Sequence, residues 1–499
     1  MEKTTQLRST EHSIGSQRIE TLLIASGVGI LVFLSSLFGI VTRPSGLLAS
    51  FWPANALLLG LLLRFPRVRH LATWLMAALG FLLADLLFDS PLVAFGLSFG
   101  NMVGVVIGYV LLRRLPKEDL ALLRPESIIY LFVGCVMVAS LVASVGCWLN
   151  LWLFGRDLWQ SWKNWFSSEL MNSLAILPLI LAWPQGSWRL EHFYLRRAQD
   201  RRASLSLLAL LLTMVLSIVI GGPGVVAFPL PALLWCALNM SVFAISILNM
   251  LVSATLVVLL GLQWIDISAI GPYDSIMLSF RFGITLMTMG PIAVACNTAA
   301  NNERLNQLYY SATRDTLTGA LLRAEFIQQA NTKLQKLAAE QRSVAIMMCD
   351  LDHFKHVNDN YGHAKGDQVL VDFANIVRSS LRETDLFGRL GGEEFVILLP
   401  NVSEPNSLIV AERIRSNFER FWLSDANDEP NLKVTTSIGI FYADRVNASL
   451  QDMLFAADCA LYQAKSTGRN RIVASSTLQS PGMLFSQSDQ TSLSHMPSS

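Results

Sequence analysis

Arg389–Phe395 reads R-L-G-G-E-E-F, and this short stretch decides the fold of the C-terminal half of the chain. It lies between two apolar runs, at residues 381–390 and 395–399, and therefore predicts a tight hairpin with two carboxylates at its tip. Glycine permits positive φ angles and the close approach of a bulky ligand. Adjacent acids at such a tip suit a hard divalent cation, although a merely solvated hairpin is the alternative for this stretch alone.

A second acidic stretch lies upstream of the predicted hairpin. Ser343–Cys349 is an apolar run of strand length, and Asp350 follows it directly. An acid at the carboxyl end of a buried strand is a frequent metal-ligand position, because the loops there open into a crevice. Asp350 and Glu393 are therefore predicted to meet across paired strands and to share Mg²⁺. For Asp350 taken alone, the alternative is a helix N-cap.

The C-terminal half resembles the GGDEF family of diguanylate cyclases over residues 311–475. The resemblance is carried by D-L-D-H-F-K-H-V-N-D-N-Y-G-H-A-K-G-D-Q-V-L (350–370), R-L-G-G-E-E-F, T-S-I-G-I (436–440) and A-D-C-A-L-Y-Q-A-K-S-T-G-R-N-R (457–471). D-T-L-T-G (315–319) is similar to the motif that joins an input domain to the cyclase. The resemblance implies an α+β domain with a central, mainly antiparallel five-stranded sheet and flanking helices, similar to class III nucleotide cyclases.

The activity that this resemblance implies is condensation of two GTP into cyclic di-GMP with release of two pyrophosphates. Each domain holds one GTP, so a homodimer is implied as well. A catalytically inactive receptor for cyclic di-GMP or GTP is the alternative, although such members normally show a broken signature and this one is whole. A transporter with an accessory domain is a third reading, but the chain shows no convincing inverted repeat of broken helices.

The resemblance also implies roles for individual residues. The catalytic and Mg²⁺-binding positions, which Mn²⁺ could also occupy, match Asp350, Glu393 and Glu394, with the Leu351 carbonyl as a further ligand; Glu394 is either a ligand or the base for the 3′-hydroxyl. The GTP-binding positions match Phe354, Lys355, Asn358, His363, Asp367, Lys465 and Arg469. The inhibitory product site matches Arg382, Asp385 and Arg413. The structural alternatives are helix-end charges for Lys465 and Arg469, and a surface ion pair for Arg382 and Asp385.

The N-terminal half is a predicted polytopic helical membrane domain. The 499 residues are 52% hydrophobic and only 15% charged, and from Ile19 to about Thr298 there is a succession of apolar runs long enough to cross a hydrocarbon core, which takes about 20 residues each. Candidate spans lie at 19–41, 47–63, 70–88, 91–112, 127–154, 165–183, 204–222, 224–240, 242–262 and 276–298. The very short break at Asn239–Val242 permits a re-entrant hairpin instead, which gives eight to ten helices.

Basic residues predict the orientation of these spans. They cluster after the second, fourth and sixth spans, at Arg64, Arg67, Arg69, Arg113, Arg114, Lys117, Arg124, Arg189, Arg196, Arg197, Arg201 and Arg202. Cytoplasmic loops carry such an excess, so the N-terminus and the cyclase domain are both expected to be cytoplasmic, in a bacterial inner membrane. The net charge of +1 gives no reason to expect a nucleic-acid partner.

The membrane half also resembles a known module. F-W-P-A-N-A-L-L-L-G-L-L-L-R (51–64), F-G-N-M-V-G-V-V-I-G-Y-V-L-L-R-R-L (99–115) and W-F-S-S-E-L-M-N-S-L-A-I-L-P-L-I-L-A-W (165–183) are similar to the first-described type of MASE domain, a bacterial membrane sensor. Polar groups within spans are either helix–helix contacts or a pocket for an unknown signal. They are Asn55, Asp85, Asn101, Asn150, Glu169 and Asn172. The tryptophans are interpreted as interfacial belt residues rather than a ligand cage.

The predicted domain order follows from these patterns. A cytoplasmic tail (1–18) precedes the membrane sensor (19–298), a helical signalling linker (299–314), the cyclase domain (315–475) and a disordered tail (476–499) rich in Ser and Gln. In the linker, Leu305, Leu308 and Ala312 have the spacing of a short parallel two-stranded coiled coil. The six cysteines show no C-x-x-C spacing, so neither a zinc site nor a disulfide framework is indicated.

Overall fold

The computed structural model of this protein describes residues 2–42, 51–184, 200–262, 264, 273–424 and 432–475. The chain divides into two compact units, Met1–Arg304 and Leu305–Ser499. The tail that was predicted to be disordered (476–499) lies outside the described residues. So do three of the basic residues used to predict orientation, Arg189, Arg196 and Arg197.

The first unit is built from helices. In chain order they are α1 (Glu2–Val41), α2 (Ala54–Arg64), α3 (Leu71–Leu86), α4 (Pro91–Leu112), α5 (Lys117–Leu120), α6 (Ser127–Phe154), α7 (Leu158–Leu181), α8 (Asp200–Ile220), α9 (Leu230–Asn239), α10 (Val242–Gly261) and α11 (Tyr273–Thr313). Helix α1 begins at Glu2, so most of the predicted polar tail is helical. Each of the ten predicted spans overlaps one of these helices.

Six stretches of the described helices are long and apolar enough to cross a membrane. They are Arg18–Val41, Pro91–Leu112, Ser127–Phe154, Arg201–Ile220, Val242–Gly261 and Ser275–Thr313. Three further helices are apolar but shorter than the roughly 20 residues of a span. Proline explains the short length of two of them, because α2 starts after Pro53 and α9 starts after Pro229. Both prolines lie within apolar runs that hydropathy alone treats as continuous.

The second unit is built on one six-stranded sheet of order β1-β3-β4-β2-β5-β6. Its strands are β1 (Leu321–Leu322), β2 (Val344–Asp352), β3 (Leu386–Gly391), β4 (Glu394–Pro400), β5 (Thr435–Ala443) and β6 (Ile472–Ser475). Its helices are α12 (Arg323–Ala339), α13 (Phe354–Tyr361), α14 (His363–Ser380), α15 (Glu404–Ser424) and α16 (Leu450–Ser466).

The predicted mainly antiparallel sheet is confirmed, with one correction. Strand β2 pairs antiparallel with β4 and β5, and β3 pairs antiparallel with β4. The two edge pairs, β1 with β3 and β5 with β6, are parallel. The sheet has six strands rather than five because Leu321–Leu322 pairs with Gly388–Arg389, and a two-residue strand leaves no readable alternation in a sequence.

The central strand β2 is buried along its whole length. Successive side chains of a strand point to opposite faces, and β2 feeds two cores in this way. Ala345, Met347 and Cys349 belong to the core that contains Phe373 of α14 and Phe418 of α15. The alternate residues of β2 join a second core that contains residues of α12 and α16. Asp350 and Asp352 therefore point to the face that α16 covers.

Helix α11 runs unbroken from Tyr273 to Thr313, and the boundary between the two units falls within it. Most of the stretch that was predicted as a helical linker lies in this helix. The side chains of Leu305 and Leu308 are 56% and 64% exposed. Exposed leucines at this spacing suit a helical partner, and the two-stranded coiled coil stays a prediction.

Strand β5 packs so closely on α16 that Gly439 has no room for a side chain. A Cβ at this position would overlap the backbone at Ala457 and Leu461 of α16. Overpacking of a filled core typically costs about 1–3 kcal/mol, and about 2–4 °C of Tm per kcal/mol is usual for a domain of this size. We expect Gly439→Ala to lower the temperature at which the second unit of the full-length protein becomes sensitive to protease by several degrees.

Gly391→Ala is the matched control for this experiment. Gly391 also belongs to a strand of this sheet, but a Cβ there would meet nothing within 4 Å. Equal losses of stability in the two variants would show that the contact between β5 and α16 does not limit packing at Gly439.

Candidate active site

Asp350 lies near the end of the central strand, between two neighbouring strands. In the sheet register its Cα is opposite Glu394 of β4 on one side and Ser437 of β5 on the other. The residue is only 6% exposed, and its Oδ2 lies 2.8 Å from Nζ of Lys465 in the last turn of α16. The sequence predicted that Glu393 would meet Asp350 across paired strands, whereas the residue opposite Asp350 in the register is the next acid of the hairpin, Glu394.

The surroundings of Asp350 disfavour its charge. Burial raises the pKa of its carboxyl group, the Lys465 ammonium opposes this shift, and the carboxylates of Glu393 and Glu394 add to it. The net direction is upward, so one lysine does not compensate fully for burial and for two neighbouring acids. An additional positive charge at this place would stabilise the ionised form of Asp350.

The predicted hairpin is confirmed, and it turns within two residues. Strand β3 ends at Gly391, β4 begins at Glu394, and these two residues are register partners. Gly392 has a φ of +50°, a left-handed conformation that glycine adopts without strain. Glu393 is therefore held at the tip, where it is partly buried, and the exposed Glu394 starts β4.

Arg389 fixes the hairpin tip to the turn that follows α11. Its Nε donates to the Gly392 carbonyl at 2.9 Å, and its Nη1 donates to Oδ1 of Asp315 at 3.0 Å. Asp315 also accepts from the backbone N–H and the hydroxyl of Thr318. Burial opposes ionisation of Asp315, but these hydrogen bonds and the charge of Arg389 outweigh it and lower the pKa of this carboxyl group. Sequence reasoning assigned no role to Arg389.

Asp352 is a second residue whose contacts sequence reasoning missed. Its carboxylate accepts from the hydroxyls of Thr435 and Ser437, each at 2.7 Å, and from the backbone N–H of Asn470 at 3.0 Å. Asn470 in turn donates from Nδ2 to Glu419 of α15. The loop after α16 is therefore attached to β2 and to α15. The spacing of Asp350 and Asp352 could have indicated that Asp352 lies on the same face as Asp350, because alternate residues of a strand share a face.

Helices α13 and α14 bring several predicted nucleotide-binding residues close together. They meet at Gly362, whose φ is +82°, and a Cβ at Gly366 would overlap Oδ1 of Asn358. Asn358 and the residue after Gly366, Asp367, thus lie on two adjoining helices. Of the other predicted residues, Phe354 is buried, whereas Lys355, His363 and Asp367 are exposed.

The two basic residues predicted for a phosphate site differ in their surroundings. Lys465 contacts Asp350 directly, so the lysine and the predicted metal ligands form one cluster. Arg469 is exposed, has a left-handed φ of +58°, and donates its backbone N–H to the Ala464 carbonyl at 3.0 Å. That backbone bond holds the loop close to the end of α16, next to Lys465.

The residues around Asp350 suit a hard divalent cation by their chemistry. Carboxylate and carbonyl oxygens are the ligands such ions prefer, and Asp350, Leu351, Glu393 and Glu394 supply both kinds. Burial raises the pKa of Asp350, and the neighbouring carboxylates of Glu393 and Glu394 add to this shift, which a bound cation would oppose. With Lys465 on Asp350, the described residues include no ready-made group of three or more His, Cys, Asp or Glu side chains around one point. The donor set fits a metal, but its final geometry is not fixed by these side chains alone.

The residues predicted for product binding lie at the junction of α14 and β3. Asp385 Oδ2 accepts from the backbone N–H of Arg382 at 2.8 Å, which orders the loop between them. Arg413 of α15 donates to the carbonyl of Ser380, the last residue of α14. A pocket of about 430 Å³ adjoins this loop, and its lining includes Arg314, Arg378 and Arg382. The structure thus brings Arg413 close to the Arg382–Asp385 loop within one chain.

Polar residues of the membrane unit also come together. Asn55 Nδ2 donates to Oδ1 of Asn101 at 3.2 Å and to Oε2 of Glu169 at 3.4 Å, and Asn172 Oδ1 accepts from the backbone of Trp52 at 3.2 Å. Five of the six predicted polar residues line one cavity: Asn55, Asp85, Asn101, Glu169 and Asn172. Asn150 is buried but does not line this cavity, and its side chain has no hydrogen-bond partner among the described residues.

The interpretation of the tryptophans needs a correction at two positions. Trp148, Trp152 and Trp159 are each more than 60% exposed, as belt residues would be. Trp52 and Trp165 instead line the polar cavity. They face the interior because Trp52 packs against Gly39 of α1 and Trp165 packs against Gly146 of α6, where the missing side chain leaves space for each indole ring.

Comparison with known proteins assigns a family to each half of the chain. Residues 20–295 match the MASE1 family, and residues 312–471 match the family described as "Diguanylate cyclase, GGDEF domain". The first match covers more than half of the sequence. The order of the two domains is the one predicted from the sequence.

Several relatives show the same relationship. The chain is 31% identical to "Probable diguanylate cyclase DgcF" of Escherichia coli O157:H7 over 476 residues, which cover 92% of this chain and 97% of the relative. It is 39% identical to "Diguanylate cyclase DgcM" of Escherichia coli strain K12 over 169 residues, 34% of this chain and 40% of that protein. Among solved structures, the coiled coil and GGDEF domain of DgcB from Caulobacter crescentus in complex with c-di-GMP is 28% identical, with coverage of 35% and 92% and a TM-score of 0.34.

Three findings agree: the membrane unit matches MASE1, a whole GGEEF hairpin lies beside a buried acid, and one relative is similar over almost the full length. The chain therefore belongs to the GGDEF family of diguanylate cyclases and carries a MASE1 membrane sensor domain.

Proposed function

We propose that this diguanylate cyclase uses GTP, joining two molecules into cyclic di-GMP with release of two pyrophosphates. The observation that carries the proposal is the position of Asp350 at the end of the central strand, opposite Glu394 and within electrostatic range of Glu393. Diguanylate cyclases generally use divalent metal ions. We propose Mg²⁺ as the ion, with Mn²⁺ as the alternative, held by Asp350, Glu393 and the Leu351 carbonyl.

The chain's own residues position the reacting groups. When bound, the ion supplies positive charge to the phosphate oxygens and to the attacking 3′-hydroxyl. Lys465 lies within reach of Asp350 and therefore of a phosphate held beside it, and Arg469 extends the same positive surface. Glu394, exposed at the start of β4, is either a further ligand or the base that accepts the 3′-hydroxyl proton. In both roles its negative charge is required.

We assign recognition of the guanine base to the junction of α13 and α14. Asn358 and Asp367 lie on these two adjoining helices, and an amide with a carboxylate complements the O6 and N1/N2 edge of guanine. Gly366 supports this assignment because its missing side chain leaves space for Asn358. Phe354, Lys355 and His363 surround the same junction and complete the proposed nucleotide site.

The charge of the acids at this site can be tested directly. We expect Asp350→Asn and Glu394→Gln each to reduce cyclic di-GMP synthesis by the full-length protein to below one tenth of wild type, because each removes a negative charge that the metal or the nascent alkoxide needs. The measurement is conversion of radiolabelled GTP by protein in detergent micelles. The circular dichroism spectrum should stay unchanged.

Glu340→Gln is the matched control, because Glu340 is an exposed acid at the end of α12, away from the hairpin. It should retain wild-type turnover. Activity above one tenth in either active-site variant would contradict the assignment. Wild-type protein that binds GTP without turnover would instead identify the chain as a catalytically inactive receptor.

Turnover requires two cyclase domains, because each proposed site holds one of the two nucleotides. We propose a homodimer formed through the linker (299–314) and the cyclase domain (315–475), under control of the membrane sensor (19–298). The exposed Leu305 and Leu308 on α11 support the linker contact, since exposed apolar side chains at this spacing suit a second copy of the same helix.

We further propose feedback by cyclic di-GMP at the loop between α14 and β3. Arg382 and Asp385 would bind the product, with Arg413 contributing. The adjoining pocket is lined by three arginines and by the acids Glu383 and Asp385, and this excess of positive charge suits phosphate groups. This loop precedes β3, whereas the proposed GTP site begins beyond the other end of that strand at Glu393. Product bound here would hold two domains in an unproductive arrangement without occupying the GTP site.

Product inhibition gives a test that is separate from catalysis. Arg382→Ala removes a charged hydrogen-bond donor, and such contacts contribute roughly 1.5–3 kcal/mol, so inhibition by cyclic di-GMP should weaken by at least about tenfold. The initial rate should change little. The measurement is the product concentration that halves the rate, with Arg420→Ala, another exposed arginine of this unit, as control. If Arg382→Ala and wild type respond to the same concentration, Arg382 is a surface residue without this role.

We propose that the protein lies in the bacterial inner membrane with its N-terminus and cyclase domain in the cytoplasm. The segment between α4 and α6 contains Arg113, Arg114, Lys117 and Arg124, whereas Arg156 is the only basic residue between α6 and α7. An excess of basic residues marks the cytoplasmic side. An even number of spans then returns α11 to the side on which α1 begins.

Thiol labelling of intact cells tests this orientation. In a chain whose native cysteines are replaced by serine, we expect Arg156→Cys to react with an impermeant maleimide and Glu126→Cys to be protected until the cells are opened. Both positions are exposed at the ends of α6, and neither change weakens the basic excess of the proposed cytoplasmic segment. Labelling of Glu126→Cys alone in intact cells would reverse the proposed orientation.

A further inference from the structure

The loop between α16 and β6 (467–471) has an unusual backbone. Gly468, Arg469 and Asn470 have φ angles of +123°, +58° and +44°, so three consecutive residues have positive φ. Glycine adopts such angles without strain, and asparagine adopts them more readily than most residues, but arginine does not. Backbone strain of this kind persists only where the surrounding structure fixes it, and it is concentrated at functional sites.

Arg469 is fixed by its backbone and not by its side chain. Its N–H donates to the Ala464 carbonyl, and its own carbonyl accepts from Nε of Arg471, both at 3.0 Å. The residue is exposed, and its guanidinium has no hydrogen bond or ion pair with any residue that the structure describes. The loop therefore holds the backbone of Arg469 in place and leaves its charged group available to a ligand.

Asn470 attaches this loop to two other elements. Its backbone N–H donates to Oδ2 of Asp352, the last residue of β2, at 3.0 Å. Its side chain donates from Nδ2 to Oε1 of Glu419 at 2.7 Å and accepts at Oδ1 from Nη1 of Arg415 at 2.8 Å. Both of these partners belong to α15. The two polar ends of the Asn470 side chain are thus engaged by a helix rather than by a ligand.

The two α15 partners of Asn470 also bind each other. Nη1 of Arg415 lies 2.7 Å from Oε2 of Glu419, and Nη2 of Arg415 lies 2.6 Å from Oε1 of Glu412. Hydrogen bonds from Arg415 and Asn470 lower the pKa of Glu419, which favours the ionised form. Hydrogen bonds with an ionised partner are stronger than neutral ones, and the planar guanidinium holds its acceptors in fixed directions. Helix α15 therefore gives the loop a rigid support.

We propose that three residues outside the nucleotide site position the Arg469 guanidinium for the phosphates of GTP. They are Asn470, Glu419 and Arg415, and they act through the loop rather than by contact with the nucleotide. A forked guanidinium binds phosphate in a narrow range of orientations, and a small displacement of such a group costs much of its effect. This role rests on the proposed use of GTP, and it adds positioning residues from α15 to the nucleotide site.

Affinity for a nucleotide that cannot react is the primary test. 3′-Deoxy-GTP lacks the attacking hydroxyl, so its binding to full-length protein in detergent micelles with Mg²⁺ is measured by equilibrium dialysis without turnover. Arg469→Ala should weaken binding by at least about tenfold and Asn470→Gly by at least about threefold. Glycine accepts the positive φ at position 470 and removes the side-chain contacts with α15. The double variant should bind no more weakly than Arg469→Ala, because Asn470 acts through Arg469.

Asn401→Gly is the matched control. Asn401 also has a positive φ, +53°, and its side chain accepts from Arg342. It follows the last residue of β4, at the opposite end of that strand from Glu394, so its variant should bind 3′-deoxy-GTP as wild type does. Wild-type affinity in folded Asn470→Gly, an equal loss in Asn401→Gly, or additive losses in the double variant would overturn the proposal.

Glu419→Ala gives a second variant in case Asn470→Gly does not fold. It removes the acceptor on α15 and leaves the sequence of the loop unchanged. Because Asn470 then loses its charged partner, binding of 3′-deoxy-GTP should again weaken by at least about threefold. Wild-type affinity in folded Glu419→Ala would show that α15 does not support the phosphate site.

Steady-state kinetics separate positioning from a loss of folded protein. Asn470→Gly should raise the KM for GTP by about the factor lost in binding, while kcat stays close to that of wild type. A lower kcat with an unchanged KM would identify Asn470 as a purely structural residue. Wild-type affinity in Arg469→Ala would instead overturn the phosphate role of Arg469 in the proposed function, and the role of Asn470 with it. Weakened binding in Asn470→Gly of a protein without turnover would support positioning but count against the proposed activity.

Discussion

Burial of the Asp350 carboxylate is the constraint on which the arrangement of the cyclase unit depends. A charge at the end of a strand that is covered on both faces cannot be stabilised by water, so it requires compensation from the protein. The last turn of α16 supplies Lys465, and this places the C-terminal end of that helix beside the central strand. The same end of the sheet carries the hairpin with two further acids. Burial raises the pKa of Asp350 despite the nearby Lys465, and the carboxylates of Glu393 and Glu394 add to the shift, so the place suits a cation.

Local patterns in the sequence were sufficient to predict the hairpin, the acid at the end of a buried strand and the helical character of the linker. In each case the signal lies within about ten residues, where glycine, alternation and helical periodicity act directly. The contacts of Asp352 were not predictable in this way. Its partner Asn470 lies 118 residues further along the chain, and only the folded sheet brings them together. The role of Arg389 was missed for the same reason, because Asp315 lies 74 residues before it.

The membrane unit shows where hydropathy is an incomplete guide. Proline is compatible with an apolar composition but ends or delays a helix, so α2 and α9 are shorter than the apolar runs that contain them. The reverse holds for α7, which is 24 residues long but carries Asn164, Ser168 and Glu169 in a cavity. Its polarity is explained by one inward-facing side rather than by solvent. Some tryptophans likewise face the interior rather than the surface, since a neighbouring glycine such as Gly146 leaves space for a large ring.

The uninterrupted course of α11 has a consequence for how such proteins diversify. An α-helix turns by about 100° per residue, so each inserted or deleted residue between Arg281 and Asp315 rotates everything beyond it by that angle. Insertions of seven residues nearly restore the phase, whereas insertions of two residues reverse it. Recombination between membrane modules and cyclase domains would therefore yield working hybrids only when the number of residues between them preserves this rotation of the helix. The spacing of the two modules, rather than the identity of the residues between them, would then be the heritable property under selection.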